Sequence, residues 1–148
     1  MELPDRPLFV RTVGTDASLH DAAKVMVRDG IGSIFVREDP DSPITGVLTD
    51  RDIVTFIAEG CDPKSETVER VCGKRVERAP VNASRLELAK KMRVHGIRRL
   101  LLTNDEGEAC GVVSLDDLLF ELGAELSELS KSIVTARRNA SGEPEPDL

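Results

Sequence analysis

The sequence predicts an α/β fold of the α+β kind. Two β-α-β-β-α repeats pack sheet to sheet with pseudo-two-fold symmetry, and an extended C-terminal helix follows. Three observations predict it. Gly46-Val47-Leu48-Thr49-Asp50-Arg51-Asp52 returns, altered, as Gly111-Val112-Val113-Ser114-Leu115-Asp116-Asp117. The surroundings of the two stretches match at a fixed offset, since Gly30 and Gly96 lie 96 − 30 = 66 positions apart. After the hairpin the offset becomes 111 − 46 = 65, one residue having been lost from a turn, where length changes are tolerated. Each unit has only one buried face per element, so neither makes a stable core alone, whereas two packed together can.

The elements follow in order. Residues 1–7 contain Pro4 and Pro7 and read as an irregular lead-in. Phe9 to Val13 is apolar enough for a strand. Ser18 with Asp21 resembles a capping box, and Leu19, Ala22, Ala23 and Met26 then fall on one helical face that Gly30 terminates. Ser33 to Arg37 reads as a strand. The turn-rich Asp39 to Pro43 leads into a second strand, Ile44 to Thr49. Residues 50–59 read as a helix with Ile53, Val54, Phe56 and Ile57 on its apolar side, ended by Gly60 and Pro63. The joining segment, Cys61 to Gly73, holds a short helix around Val68 and Val71. In the second half Ala83, Ser84, Ala89, Met92, Gly96, Ile97 and Asp105 repeat Ala17, Ser18, Ala23, Met26, Gly30, Ile31 and Asp39. The expected units are residues 8–60 and 74–125, with 61–73 between them, a helical extension at 126–138 and a disordered acidic tail at 139–148.

Composition bounds the function. At 148 residues the chain suits one domain or two small repeats sharing one core, and 40% hydrophobic with 32% charged residues is ordinary for a globular protein. A net charge of −7 keeps the surface as a whole from attracting nucleic acid or anionic lipid. The only aromatic residues are Phe9, Phe35, Phe56 and Phe120, too few for the stacking platforms of single-strand binders. Cys61, Cys72 and Cys110 are odd in number and widely spaced, which suits reduced thiols in a cytoplasmic protein. No pair has zinc-ligand spacing, and His20 and His95 are far apart, so neither a metal site nor a nucleophile–histidine pair is expected. No apolar run is long enough to span a membrane, and Met1 to Asp5 lacks the features of a signal peptide.

The repeated motif carries the chemistry. An ionised aspartate can accept both hydroxyls of a ribose cis-diol. Thr49 and Ser114 sit at strand-to-helix junctions, where a hydroxyl and free backbone N–H groups can face an anion. The plain alternative is that Thr49–Asp52 and Ser114–Asp117 only cap their helices. Asp50 and Asp116 read as exposed first-turn acids, and His95 as a cation at a helix end.

These residues resemble a tandem pair of CBS domains, the regulatory module also called a Bateman module. The resemblance covers roughly residues 8–125 and is most specific in the two Gly-Val-(Leu/Val)-(Thr/Ser)-x-x-Asp stretches and in Gly96 to Leu100. It implies clefts between the repeats that hold an adenosyl nucleotide as a regulatory ligand, with no obligatory cofactor and no enzymatic activity. Thr49 and Asp52 would hold one ribose, and Ser114 and Asp117 the other. Phosphate would fall to Arg98 and Arg99, whose counterparts in the first repeat are Gly32 and Ser33. Arg51 could compensate there, and Thr12, Val13 and Ser33 complete the expected ligand-binding set. The two clefts should therefore be unequal, the Asp117 side binding phosphorylated adenosine better.

The last helix departs from its counterpart. Leu115, Leu119, Leu122, Leu126, Leu129, Ile133 and Ala136 form a heptad seam. Exposed leucines cost solubility, and the family commonly forms dimers, so a homodimer is expected, together with an effector protein of unknown identity. The alternatives are a ligand-independent dimerisation scaffold and, more weakly, nucleic-acid binding through Lys90, Lys91, Arg93, Arg98 and Arg99.

Overall fold

A computed structural model describes residues 10–142. The first repeat holds β1 (Thr12–Gly14), α1 (Leu19–Asp29), β2 (Ser33–Arg37), β3 (Gly46–Thr49) and α2 (Asp50–Ala58). A one-turn helix α3 (Val68–Val71) lies in the joining segment. The second repeat holds β4 (Arg78–Pro80), α4 (Arg85–His95), β5 (Arg99–Thr103), β6 (Ala109–Ser114) and α5 (Leu115–Ser141). Each repeat forms a three-stranded sheet, ordered β1-β2-β3 and β4-β5-β6, with the first pair of strands parallel and the second antiparallel.

Local chemistry sets the helices. Ser18 and Ser84 accept hydrogen bonds from the backbone N–H groups of Asp21 and Glu87, at 3.0 and 3.3 Å. Gly30 and Gly96 end α1 and α4 at φ 63° and ψ 34°, a left-handed conformation that glycine adopts without a Cβ penalty. Gly46, the motif glycine, is needed for space. A Cβ there would meet Cys72 Sγ at 2.8 Å and Gly73 O at 3.1 Å, and Gly73 exchanges hydrogen bonds of 2.9 and 2.8 Å with Val47.

Strand alternation builds three cores. Ile34, Val36 and Leu48 point to α1 and α2, and Leu100, Leu102 and Val113 point to α4 and α5. The intervening residues face the other sheet. Phe35, Ile44 and Leu101 form the inter-sheet cluster, flanked by Val10, Val47, Val76 and Val112. Arg78 Nη2 donates to the Ile44 carbonyl at 2.7 Å across the same interface. That use of Ile44 explains why β3 begins at Gly46 and not at Ile44: Ile44 leaves the ladder to fill the space between the sheets.

Three further expectations change. β1 spans Thr12–Gly14 instead of Phe9 to Val13, and Phe9 lies outside the described residues. Val54 and Ile57 are 64% and 50% exposed, because among the described residues α2 buries only Ile53 and part of Phe56. α5 is one helix through Gly123, as expected, and that position has open space around it. It also runs three residues into the stretch expected as tail. Ser141 Oγ donates to the Arg137 carbonyl at 2.7 Å, and Gly142 caps the helix at φ 70°. The rest of the tail, 143–148, lies outside the described residues.

Leu101 has no exposed surface and touches both repeats' sheets. Leu101→Ala should cost about 2–5 kcal/mol and lower the urea midpoint of both repeats in a single transition.

Candidate functional site: the cleft between the repeats

The stacked sheets bring the starts of α2 and α5 to one inter-repeat cleft of about 510 Å³. The helices are anchored alike. The Asp50 N–H donates to the Gly32 carbonyl at 3.0 Å, and the Leu115 N–H to the Arg98 carbonyl at 2.8 Å. Thr49 and Ser114 line the cleft from opposite repeats. Its floor includes Phe35, Val47, Val76 and Ile97, an apolar bed between polar ends.

Both motif hydroxyls are held in capping boxes. Thr49 Oγ1 accepts from the Asp52 N–H at 3.2 Å, while Asp52 Oδ2 accepts from the Thr49 N–H at 2.8 Å and from its hydroxyl at 2.7 Å. In the second copy the Asp117 N–H donates to Ser114 Oγ at 3.1 Å, and Asp117 Oδ2 accepts at 2.8 and 2.6 Å from the Ser114 N–H and hydroxyl. Only one oxygen of each carboxylate makes these bonds. Asp52 and Asp117 are not among the lining residues.

The expected set is therefore divided. The cleft gathers Ser33, Thr49, Arg51, Arg98, Arg99 and Ser114. It does not gather Thr12 or Val13, which pair with Phe35 and Val36 inside the first sheet. Arg98 and Arg99 also part company. Arg98 Nη2 holds Asp116 Oδ1 at 3.0 Å on its own repeat. Arg99 leans to the other repeat: a Cβ built on Gly32 would lie 3.2 Å from Asp50 Oδ2 and 3.6 Å from Arg99 Nη1. Neither Arg51 nor Arg99 has an acidic partner within 4.0 Å among the described residues.

Sequence reasoning missed four charged lining residues, Asp50, Asp116, Arg75 and Glu77. Asp50 and Asp116 occupy the variable places of the motif and are exposed, yet their exposed side is the cleft. Arg75 and Glu77 stand in the lead-in to β4. The signal for them was the repeat offset: the Leu101 N–H donates to the Glu77 carbonyl at 3.1 Å, as the Phe35 N–H donates to the Arg11 carbonyl at 3.1 Å.

Glu77 organises one end of the cleft. Arg75 Nε lies 2.5 Å from its Oε1, and His95 Nε2 and Lys91 Nζ lie 3.4 and 3.9 Å from its Oε2. His95 Nδ1 also meets Arg75 Nη2 at 3.1 Å, so His95, at the end of α4, is engaged on both ring nitrogens. Burial pushes the Glu77 carboxyl up. The hydrogen bond from Arg75 and the charges of His95, Arg75 and Lys91 outweigh it, and the group titrates below the ordinary carboxylate range. Among the described residues, no group of three His, Cys, Asp or Glu could hold a metal ion, and no helix is long and apolar enough to cross a membrane.

Two stacked three-stranded sheets, each with its pair of helices, and a cleft edged by two Gly-x-x-(Thr/Ser)-x-x-Asp turns define a tandem-repeat module. The CBS domain model matches residues 2–59 and again 68–124, and the chain belongs to the CBS-domain family. It is 31% identical over 106 residues to an uncharacterised protein of Methanopyrus kandleri, a match covering 71% of this chain but only 53% of that protein. It is 33% identical over 110 residues to hypoxic response protein 1 of Mycobacterium tuberculosis, covering 74% of this chain and 76% of that one. Among solved structures, a putative signal-transduction protein with CBS domains from Burkholderia ambifaria superposes with a TM-score of 0.75 at 29% identity, covering 83% of this chain and 89% of that chain. Two more share the fold. A CBS domain protein from Pyrobaculum aerophilum, described as complexed with AMP, gives a TM-score of 0.68 at 24% identity over 83% of this chain and 96% of that one. A CBS domain pair described in complex with 5′-methylthioadenosine and S-adenosyl-L-methionine gives 0.70 at 22% identity, over 83% and 93%.

A depressed carboxylate stabilises the fold above its unfolded pKa, and that contribution is lost as pH falls through the folded value. Glu77→Gln should therefore lower the urea midpoint at neutral pH, and the two proteins should converge in acid, below the carboxylate range. Urea titrations across pH check this; a constant difference at all pH values would contradict it.

Proposed function

We propose that this chain is a non-enzymatic regulatory module that binds an adenosyl nucleotide between its two repeats and signals to an effector protein by a change in the geometry of the pair. The reading rests on one observation: the cleft joins two capped helix starts to two arginines, Arg51 and Arg99, that lack an acidic partner among the described residues. Four arginines and three acids line it, a local excess of positive charge in a chain of net charge −7. A helix N-terminus favours an anion by ~0.3–1 kcal/mol, and each guanidinium can add charge-assisted hydrogen bonds. Phe35, Val47, Val76 and Ile97 offer the apolar surface a base needs. The CBS proteins described with AMP and with S-adenosyl-L-methionine support the ligand class.

The inequality proposed for the two sides differs from the one the resemblance implies. Arg98 is held by Asp116, and Arg99 serves the side of Gly32, Asp50 and Thr49, so the phosphate goes between Arg51 and Arg99. The carboxylate oxygens of Asp52 and Asp117 that the caps do not use are the proposed ribose acceptors. The protein acts in the cytoplasm as a homodimer, and its ligand is a regulator with no obligatory cofactor.

A second reading has its own support. Asp52 and Asp117 already cap their helices and do not line the cleft, as a ligand-independent dimerisation scaffold would have them. Calorimetric titration with AMP, ADP, ATP, S-adenosylmethionine and NAD separates the two. Under the regulatory reading at least one of them binds, and Arg99→Ala or Arg51→Ala weakens a phosphorylated ligand by roughly tenfold or more, while Arg98→Ala weakens it less. Binding by none of the panel, with no rise in melting temperature, leaves the scaffold.

A further inference from the structure

From Leu122 to Gly142 every residue is exposed, and among the described residues the one ion pair from this stretch to another element is Glu125 with Arg85 of α4. Its seam is bare: Leu119, Leu126, Leu129 and Ile133 are each more than half exposed. The seam continues into an apolar groove between α4 and the first turns of α5, floored by Leu86, Ala89, Leu119 and Leu122.

The charges on α5 are segregated. Asp116, Asp117, Glu121, Glu125 and Glu128 occupy its first half, and Lys131, Arg137 and Arg138 its second. A parallel pair of such helices would set acid on acid and base on base. A two-fold axis across the middle of the helix sets acid against base, and it also opposes the two helix dipoles. A single helix that complements itself in this way fits a second copy of the same chain.

We propose that two copies of this protein associate through α5 in antiparallel register, each C-terminal half lying along the other chain's α4–α5 groove. The pairing rests on the homodimer proposed above, specifies its geometry and does not depend on nucleotide. The seam sets the register. With the axis between Ser127 and Glu128, Leu126 meets the partner's Leu129, Leu122 meets the partner's Ile133, and Leu119 meets the partner's Ala136. Gly123 then lies beside the partner's Ser130, two small residues that let the helices close, and the acidic start of each helix runs beside the basic end of the other.

The full-length chain tests this. In a Cys61→Ser background, Leu126→Cys and Leu129→Cys are made separately; both positions are exposed in the single chain, so neither substitution disturbs its fold. Sedimentation should give a dimer for each. On mild oxidation the mixed sample should cross-link the two different variants faster than either variant cross-links with itself, with the linked peptides identified by mass spectrometry. Lys131→Glu/Arg137→Glu/Arg138→Glu should weaken the dimer by roughly tenfold or more. A monomer in solution overturns this pairing together with the homodimer. A dimer that forms no cross-link through α5, links Leu126→Cys chains to one another as readily, or ignores the triple substitution overturns the antiparallel pairing alone. Nucleotide titration of the same variants reports separately on the ligand reading.

Discussion

The contact on which the molecule depends is the meeting of two sheet faces at Phe35, Ile44 and Leu101. A β-strand turns alternate side chains to opposite faces, and β2 and β5 are apolar on both. Ile34 and Val36, like Leu100 and Leu102, seal each sheet to its own helices, which leaves Phe35 and Leu101 with no burial available except against each other's sheet. Stacking the sheets puts the N-termini of α2 and α5 side by side, and the cleft is what remains open between them.

Divergence of the repeats then gives that cleft its electrostatic character. Gly32 and Ser33 of one repeat answer to Arg98 and Arg99 of the other, and Arg51 answers to Asp116. Arg98 and Asp116 form an ion pair within the second repeat. At the matching place in the first repeat Gly32 has no side chain, so Arg51 has nothing to pair with there, and the gap admits Arg99 from across the cleft. These differences, Gly32 for Arg98 above all, make the two sides of the cleft unequal.

α5 connects this chemistry to the outside of the molecule. Its first residues follow directly on the Ser114 cap, Leu118 is buried in the second repeat's core, and the remainder stands exposed. At 27 residues and about 1.5 Å per residue, it carries any tilt imposed at the cap over about 40 Å. A ligand of the proposed class would bias that tilt only by its difference in affinity between arrangements of the cleft.

The sequence by itself determined the repeat, the order of elements, the helix caps and the family. Each of these is local or periodic: Ser18, Ser84, Gly30 and Gly96 act on their own neighbours, and the 66-residue offset needs no third dimension. The helical continuity of α5 past residue 138 and the departure of Ile44 from its strand were less legible, because they turn on the last local hydrogen bonds and on a distant sheet. The lining of the cleft was legible in its hydroxyls and in Arg51, Arg98 and Arg99, but not in its grouping. Only the tertiary structure decided that Arg98 turns to Asp116 while Arg99 crosses to Gly32, that Arg75 and Glu77 close one end with His95, and that Thr12 and Val13 stay within their sheet. Those outcomes depend on which side chains from different repeats come within a few ångströms of one another. That is a property of how two sheets stack, and no spacing along the chain encodes it.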